Sequence, residues 1–191
     1  REVPPLTGAE ALGLTTAALI MPKEEYVSQL EQLLPYLETR KAPTNTTHPR
    51  LLVSADILDN PAYIALIEEA GGLVAMDDID TSSRYFWNDV AVTGDPIAAL
   101  GERYLLKAPC PRMLFWDRQV SQIIKWVKEW KIDGVINFTQ RFSYPRYFGL
   151  PYFRDKLADE GIPFITLERE YYFGNVGQLR TRAGAFIETL L

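Results

Sequence analysis

The sequence predicts one α/β domain on a four-stranded parallel sheet with helices on both faces. Four short apolar runs are typical of buried strands, because each is continuous rather than alternating and each is bounded by polar or turn residues. Helical segments separate the runs, and this order is typical of right-handed β-α-β units that bury both faces of a parallel sheet. We therefore expect a three-layer fold of the flavodoxin or Rossmann type.

The chain before residue 50 predicts a leading segment and a linking helix. The first 20 residues contain Pro4 and Pro5 and few charges, so they either arrive from elsewhere or pack along the body of the domain. Leucines recur at helical spacing from Lys23 to Thr39, which predicts a helix. Prolines and threonines after Thr39 predict a loop. We divide the chain into this leading part, 1–49, and the parallel α/β domain, 50–191.

The strands and helices of that domain alternate in order. The predicted strands are 51–53, 73–76, 135–138 and 164–167, and the predicted helices begin at Asn60 and span 95–106, 117–130, 152–159 and 177–191. Helix 117–130 has the clearest pattern, since its apolar residues form one stripe and its lysines lie on the other side.

Composition excludes several classes of function. The net charge is −5 and lysines and arginines are not clustered, which argues against a nucleic-acid or anionic membrane surface. No apolar stretch approaches the roughly 20 residues that a membrane span needs, and no signal segment is apparent at the start. The one cysteine, Cys110, excludes an intrachain disulfide and an all-cysteine metal site within this chain. We expect a cytoplasmic, reducing compartment.

Polar side chains follow the predicted strands, and in open parallel sheets ligands bind outside the carboxyl ends of the strands. The residues that we single out at these ends are Ser54 and Asp56, then Asp77, Asp78 and Arg84, then Arg141 and Ser143, and finally Glu168, Arg169 and Glu170. This edge of the sheet is therefore the predicted site.

Two interpretations remain open for these groups. Asp77 and Asp78 could act as acid–base groups or hard metal ligands, or they could cap the next helix or pair with Arg84. Arg141 and Arg169 could clamp a phosphate or carboxylate, or they could pair with the neighbouring glutamates. The lone histidine, His48, is expected to be a loop residue.

The C-terminal helix carries cations near its start. Arg180 and Arg182, with Gln178 before them, oppose the helix dipole by a few tenths of a kcal/mol or more. A buried carboxylate, backbone carbonyls or an anionic ligand would favour them, and a plain intrachain ion pair is the alternative.

Several motifs, taken in order, resemble one family. They are Met21 to Tyr26, Arg50 to Ser54, Ile67 to Asp78, Arg84 to Phe86, Pro109 to Pro111, Arg118, Asp133 to Ile136, Arg141 with Phe142, Gly161 to Pro163, and Gly177 to Arg182 followed by Ala185 to Glu188. They cover nearly the whole chain, and the last is the most specific. On these motifs the chain resembles the catalytic subunits of 2-hydroxyacyl-CoA dehydratases and ATP-dependent benzoyl-CoA reductases, of the 2-hydroxyglutaryl-CoA dehydratase D-component type.

The resemblance implies that the chain is the C-terminal domain of a longer subunit that also has an N-terminal domain. It implies a homologous partner subunit, an acyl-CoA substrate, a four-iron four-sulfur cluster between the domains, and an ATP-dependent iron–sulfur activator that delivers an electron. The electron would turn the thioester into a ketyl radical, which loses hydroxide or is reduced further.

One position departs from the family. Where the family has a cluster cysteine in a Phe-Cys-Asp type of motif, this chain has Phe142-Ser143-Tyr144. Iron–sulfur clusters are normally held by thiolates, and a serine alkoxide is an uncommon ligand because of its high pKa. Cys110 does not match the ligand position. The resemblance therefore leaves open whether this subunit holds a cluster.

Three hypotheses follow. The first is an enzyme subunit with Ser143 at the cluster edge; its substrate or interdomain residues would be Ser54, Asp77, Asp78, Arg84, Arg141, Gln178, Arg180 and Arg182. The second is a non-catalytic or divergent scaffold paralogue that supports a partner and has no cluster of its own. The third is a stand-alone flavodoxin-like binding module, against which the C-terminal motif argues. The isolated domain is expected to be inactive.

Overall fold

The computed structural model describes residues 3–41, 47–107, 109–110, 113 and 115–191. Within these residues four strands form one parallel sheet in the order β2-β1-β3-β4. The strands are β1 (Arg50–Ala55), β2 (Leu73–Ile79), β3 (Gly134–Gln140) and β4 (Phe164–Arg169). After β2 the chain crosses to the other side of β1, so the strand order reverses between β1 and β3. The predicted parallel sheet is confirmed.

Helices cover both faces of this sheet. They are α1 (Gly8–Ile20), α2 (Lys23–Thr39), α3 (Ala62–Glu69), α4 (Ser83–Phe86), α5 (Pro96–Leu106), α6 (Trp116–Glu129), α7 (Tyr144–Asp159) and α8 (Val176–Glu188). Helices α1, α3 and α8 pack on one face, and α6 and α7 pack on the other. The predicted three-layer arrangement is therefore confirmed.

The alternation of side chains along the strands divides the core into two clusters. Leu51 and Val53 of β1 point to the face covered by α1, α3 and α8, whereas Leu52 points to α6 and α7. Trp126 of α6 is 1% exposed and is the largest fully buried side chain on the second face. Burying a large apolar side chain contributes about 1.5–3 kcal/mol, so these two clusters hold the layers together.

The leading segment packs on the body of the domain, which is one of the two interpretations that the sequence left open. Thr7 caps α1 in a capping box with Glu10, and Leu12 is buried in the first cluster. The Glu68 carboxylate accepts hydrogen bonds from the backbone N–H groups of Gly8 and Ala9. A Cβ at Gly8 would lie 2.7 Å from the Val74 Cβ, so only glycine permits this close approach.

Several boundaries differ from the prediction. The strands continue two or three residues past the predicted ends, so Ser54, Asp77 and Asp78 lie inside strands rather than after them. The predicted strands end where polar residues begin. In the structure these polar side chains form hydrogen bonds or ion pairs with other residues, so the strands continue through them. Helix α7 begins at Tyr144 rather than near 152, and α1 was not predicted as a helix.

The remaining predictions concern helices α2 and α5, His48 and the loop at 41–49. Helix α2 has the predicted bounds, and α5 begins one residue later than predicted, with Asp95 as its cap. His48 lies outside any helix or strand. Pro111 and part of the predicted loop 41–49 lie outside the described residues. In the part of the chain that the structure describes, no helix is long and apolar enough to span a membrane.

Candidate functional site at the carboxyl end of the sheet

A crevice opens where the strand order reverses, between the ends of β1 and β3. Asp56 directly follows β1, and Ser143 lies in the turn between β3 and α7. The Ser143 Oγ donates a 2.8 Å hydrogen bond to the Asp56 Oδ2 across the crevice. The cavity here measures about 280 Å³, and Ile57 and Phe142 contribute its apolar walls. Open parallel sheets bind their ligands at this position.

The turn that carries Ser143 is strained. Phe142 has a positive φ of 67° although it is not glycine, and its side chain is 74% exposed. A left-handed conformation costs a residue with a Cβ roughly 1–2 kcal/mol. Ser143 is the residue before α7, yet its hydroxyl does not cap the helix and is directed to Asp56 instead. The local fold therefore favours the Ser143–Asp56 contact over ordinary helix capping.

Arg146 lies beneath the crevice in the first turn of α7. The residue is 2% exposed, and its Nε is 3.9 Å from the Asp56 Oδ1. Its Nη2 donates to the Ser54 Oγ, whereas Nε and Nη1 have no hydrogen-bond partner among the described residues. Burial lowers the pKa of Arg146 to about 10, against the opposing charge of Asp56. Arg146 is thus a buried cation at neutral pH.

A polar row crosses the second face of the sheet near its carboxyl end. Asp78 of β2, Ser54 of β1 and Asn137 of β3 are partners in the strand register. Each of the three is 1% exposed. The Ser54 Oγ donates to the Asp78 Oδ2 over 2.8 Å, and Gln119 of α6 donates to the same oxygen over 3.1 Å. Ser54 therefore connects Arg146 on one side with Asp78 on the other.

Asp78 and Arg84 form a buried bidentate ion pair. The Arg84 Nε lies 2.6 Å from Oδ1 and its Nη2 lies 2.6 Å from Oδ2, while Nη1 reaches Asp80 over 2.8 Å. Burial alone would raise the pKa of Asp78, but the charge and hydrogen bonds of Arg84 outweigh it and lower that pKa below its ordinary value. Burial opposes the charge of Arg84 as well, and the carboxylates raise its pKa. Of the interpretations left open, the pairing with Arg84 applies to Asp78.

Asp77 has a different environment because neighbouring residues of a strand face opposite sides. It lies on the side of α1, where its Oδ1 accepts from the backbone N–H of Ser83 over 3.1 Å and its Oδ2 accepts from the Ser82 Oγ over 2.8 Å. Burial raises its pKa, and these hydrogen bonds offset that effect only in part. Asp77 holds the turn into α4, and the two aspartates do not form a carboxylate pair.

A second, more polar cavity of about 270 Å³ lies between the ends of β3 and β4 and the start of α8. Arg141 pairs there with Glu168 over 3.2 Å and with Glu170 over 2.6 Å. Arg169 donates instead to the backbone carbonyls of Ile57 and Glu170. The interpretation of Arg141 as a partner of the neighbouring glutamates is thus the observed one.

The cations of the C-terminal motif find partners within the chain. Arg182 donates to the Thr166 carbonyl over 2.9 Å, and Arg180 pairs with Glu69 of α3 at the surface. Gln178 lines the second cavity together with Arg182. A backbone carbonyl and an ion pair, two of the partners considered from the sequence, are present.

The predicted residues therefore fall into separate groups. Ser54 and Asp78 belong to the buried row, Arg84 pairs with Asp78, and Ser143 lies at the crevice. The others are Asp77 at the turn into α4, Arg141, Gln178 and Arg182 at the second cavity, and Arg180 at the surface of α8. The contact of all these residues with substrate stays a prediction. The sequence analysis did not single out Arg146 or Gln119. The predicted start of α7 at 152 left Arg146 in a loop, and an arginine directly after Pro145 in a first helical turn was the available signal.

The described residues do not bring metal ligands together. Within the ranges that the structure describes, no group of three or more histidine, cysteine, aspartate or glutamate side chains could hold a metal ion. Cys110 is partly buried and lies outside the helices and strands. Ser143 lies at the crevice, and the resemblance places the family's cluster cysteine at this position; a ligand role there stays a prediction.

The fold and the crevice together define a parallel α/β domain of the class whose ligands bind where the strand order reverses. The chain belongs to the 2-hydroxyglutaryl-CoA dehydratase, D-component family, whose model matches residues 1–190. It is 26% identical to the (R)-phenyllactyl-CoA dehydratase beta subunit of Clostridium sporogenes, over 91% of this chain and 46% of that protein. It is 23% identical to a benzoyl-CoA reductase subunit of Thauera aromatica, over 100% of this chain and 50% of that protein. The chain therefore spans about half the length of these curated relatives.

Proposed function

We propose that this chain is the C-terminal domain of a subunit in a multi-subunit iron–sulfur enzyme that acts on an acyl-CoA thioester. The reaction would be 2-hydroxyacyl-CoA dehydration or benzoyl-CoA reduction by single-electron chemistry. The family match over residues 1–190 supports the reaction class, and the relatives' names as subunits support an assembly. Coverage of about half of each relative supports a further domain in the same subunit.

The observation that carries this proposal is the family match over residues 1–190, and the exposed aromatic side chains near the crevice support its assembly with another domain or subunit. Large exposed apolar side chains follow β3 and β4 or lie in the first turns of α7; they are Phe142, Tyr144, Phe148, Tyr171 and Tyr172, each at least 64% exposed. Apolar surface of this kind, bordered by charges such as Arg141 with Glu168 and Glu170, marks interaction sites. The surface supports a site that another domain or subunit completes, with a homologous partner subunit as the expected neighbour.

The residues of this chain do not by themselves fit a four-iron four-sulfur cluster. Such clusters normally take thiolate ligands, whereas the position at the crevice carries the Ser143 hydroxyl, which is engaged with Asp56. In the proposed enzyme the cluster would be held outside this chain. The part of this chain would be to shape the strand-end wall of the site.

A scaffold role is the second candidate function. The Ser143–Asp56 hydrogen bond favours it, since a subunit that has lost a ligand can still hold its partner in position. In that case the partner alone would carry a cluster and the catalytic centre.

The experiment uses the full-length gene product, purified without oxygen together with any co-purifying partner and an ATP-dependent activator. Conversion of a 2-hydroxyacyl-CoA or of benzoyl-CoA is expected for the complex and is not expected for residues 1–191 alone. Failure of an iron-loaded complex to convert either class of thioester would contradict the enzyme proposal. Activity that persists when an iron-free form of this subunit is paired with the loaded partner would select the scaffold role.

A further inference from the structure

We infer that Ser143 does not ligate iron in this protein and that Asp56 and Arg146 hold it as a protonated hydroxyl. This inference deepens the proposed function, because a cluster is expected near this position only if the chain works within such an enzyme. It concerns the three residues themselves and does not depend on which thioester the enzyme converts.

The first argument concerns the proton of Ser143. Its Oγ donates to the Asp56 Oδ2 over 2.8 Å, so the proton lies between the two oxygens. A serine that replaces a thiolate ligand of an iron–sulfur cluster binds iron as the alkoxide, so it must first lose its proton. Deprotonation here would place an alkoxide at hydrogen-bond distance from a carboxylate, and a nearby like charge disfavours an anion. The position therefore selects a hydroxyl over a metal ligand.

The second argument concerns what Asp56 would lose. The residue is 7% exposed, and its Oδ1 is buried without a hydrogen-bond partner in the described part of the chain. The hydrogen bond from Ser143 is thus the one that its carboxylate accepts among the described residues. If Ser143 turned to a metal, both oxygens of a largely buried carboxylate would lack a donor. Leaving a buried charged acceptor unsatisfied is costly.

The third argument concerns the balance of charge. Arg146 is the cation that faces Asp56, with 3.9 Å between its Nε and the Asp56 Oδ1. Two other cations lie near the crevice, and both already face carboxylates. Arg84 contacts Asp78 and Asp80, and Arg141, which lines the crevice, pairs with Glu168 and Glu170. Arg146 would therefore have to offset two anions at once, Asp56 and an anionic Ser143.

The backbone supports the same arrangement. Phe142 holds a left-handed conformation directly before Ser143, although glycine would adopt it more readily. Strained conformations persist where the surrounding structure fixes them, and they concentrate at functional sites. The strained turn directs Ser143 to Asp56, so this contact is built into the local fold.

The first test measures iron and acid-labile sulfide in this subunit of the full-length complex, with the EPR spectrum of the reduced protein. The variants are Ser143→Ala and, as the matched control, Asp56→Asn, which keeps an acceptor oxygen for Ser143. Iron content and spectrum unchanged by Ser143→Ala are expected, whatever the wild-type value. A loss of iron or an altered spectrum in Ser143→Ala, while Asp56→Asn keeps both, would overturn the inference.

The second test does not require Ser143→Ala to fold. Ser143→Cys is prepared with and without Asp56→Asn, and alkylation of the thiol at position 143 is followed against pH by mass spectrometry of its peptide. Asp56 is expected to shift the profile about one unit above the ordinary thiol value near 8.5, and Asp56→Asn to remove that shift. A profile at or below the ordinary value with Asp56 present would show that the position accepts an anion and would contradict the inference.

The two proposals fail in distinguishable ways. If the loaded complex converts no thioester but Ser143→Ala leaves iron unchanged, the proposed function fails and the inference stands. If the complex is active and Ser143→Ala removes iron from this subunit, the inference fails and the proposed function stands.

Discussion

Asp77 and Asp78 are adjacent in β2, yet only Asp78 contacts a guanidinium group among the described residues. Asp78 points to the second face and binds Arg84 through both carboxylate oxygens, each over 2.6 Å. Asp77 points to the first face and accepts from Ser82 and from the backbone of Ser83. The two carboxylates therefore have opposite pKa directions, lowered for Asp78 and raised for Asp77. This pair offers a matched test of what a buried charge contributes.

Replacing Asp78 by Asn should lower the free energy of unfolding by about 3–5 kcal/mol, because it leaves the buried Arg84 without its main counter-charge. Asp77→Asn is the matched control and should change stability by less than about 1 kcal/mol, since its amide oxygen can still accept from the Ser83 N–H. Urea unfolding followed by circular dichroism measures both. Equal losses for the two variants would show that the Arg84 pair is not the dominant interaction.

The pH dependence of these variants should differ in sign. Because the folded pKa of Asp78 lies below the ordinary 3.8, its contribution is present above that value and is lost as the pH falls through the folded pKa. The pKa of Asp77 is raised, so its contribution is present below 3.8 and is lost as the pH rises through the folded pKa.

Unfolding in urea from about pH 3 to about pH 7 tests this sign. As the pH rises, the free energy of unfolding of Asp77→Asn should increase relative to that of wild type. The free energy of unfolding of Asp78→Asn should decrease relative to that of wild type. A stability difference between wild type and Asp77→Asn that stays constant over this range would contradict the raised pKa of Asp77.

Leu179 and Arg180, which are neighbours in the C-terminal motif, should contribute unequally to the stability of the fold. Leu179 is 2% exposed in the first core cluster, and Leu179→Ala should cost about 2–5 kcal/mol. Arg180 pairs with Glu69 at the surface, with more than half of each side chain exposed, so Arg180→Ala should cost less than about 1 kcal/mol. Thermal and urea unfolding give both values. If Arg180→Ala proves as damaging as Leu179→Ala, the surface ion pair does not account for this arginine.

Replacing Phe142 by Gly should stabilise the protein by about 1 kcal/mol, because glycine removes the left-handed strain and the exposed ring loses little packing. Asn175→Gly is the control, since asparagine also has a positive φ there, of 53°, but tolerates it better. The gain should be smaller at position 175. Destabilisation by Phe142→Gly would mean that the exposed ring makes a contact that the chain needs.

The architecture could be predicted from the sequence because periodicity and turn residues agree along most of the chain. The four strands and the amphipathic α6 follow from such local patterns. Helix α1 is hard to predict because its residues show weak amphipathicity, and its sequence signal is the capping box of Thr7 and Glu10. The predicted start of α7 near 152 is too late. Pro145 occupies the first turn of the observed helix and Pro151 lies within it, so neither proline ends it.

The candidate site was harder to predict because its contacts are remote in sequence. Ser143 and Asp56 are separated by 87 positions, and Arg146 and Ser54 by 92. Strand-end reasoning placed Ser54, Asp56 and Ser143 at one edge of the sheet, but it did not include Arg146. It also did not distinguish side chains that face the crevice from those that pack beneath α6 and α7. That distinction depends on which face of the sheet each residue of β1 and β2 points to. The predicted strands ended before Ser54 and Asp77, so these residues were not assigned to a face.

The docking of α1 has a consequence for the order in which the chain folds. The N–H groups of Gly8 and Ala9 depend on a carboxylate about 60 positions later, and Leu12 packs against side chains of α3. During synthesis the first helix emerges long before those partners, and a short isolated helix is only marginally stable in water. Helix α1 can therefore dock only after β1, α3 and β2 have formed. It is a late element of assembly although it precedes them in the chain.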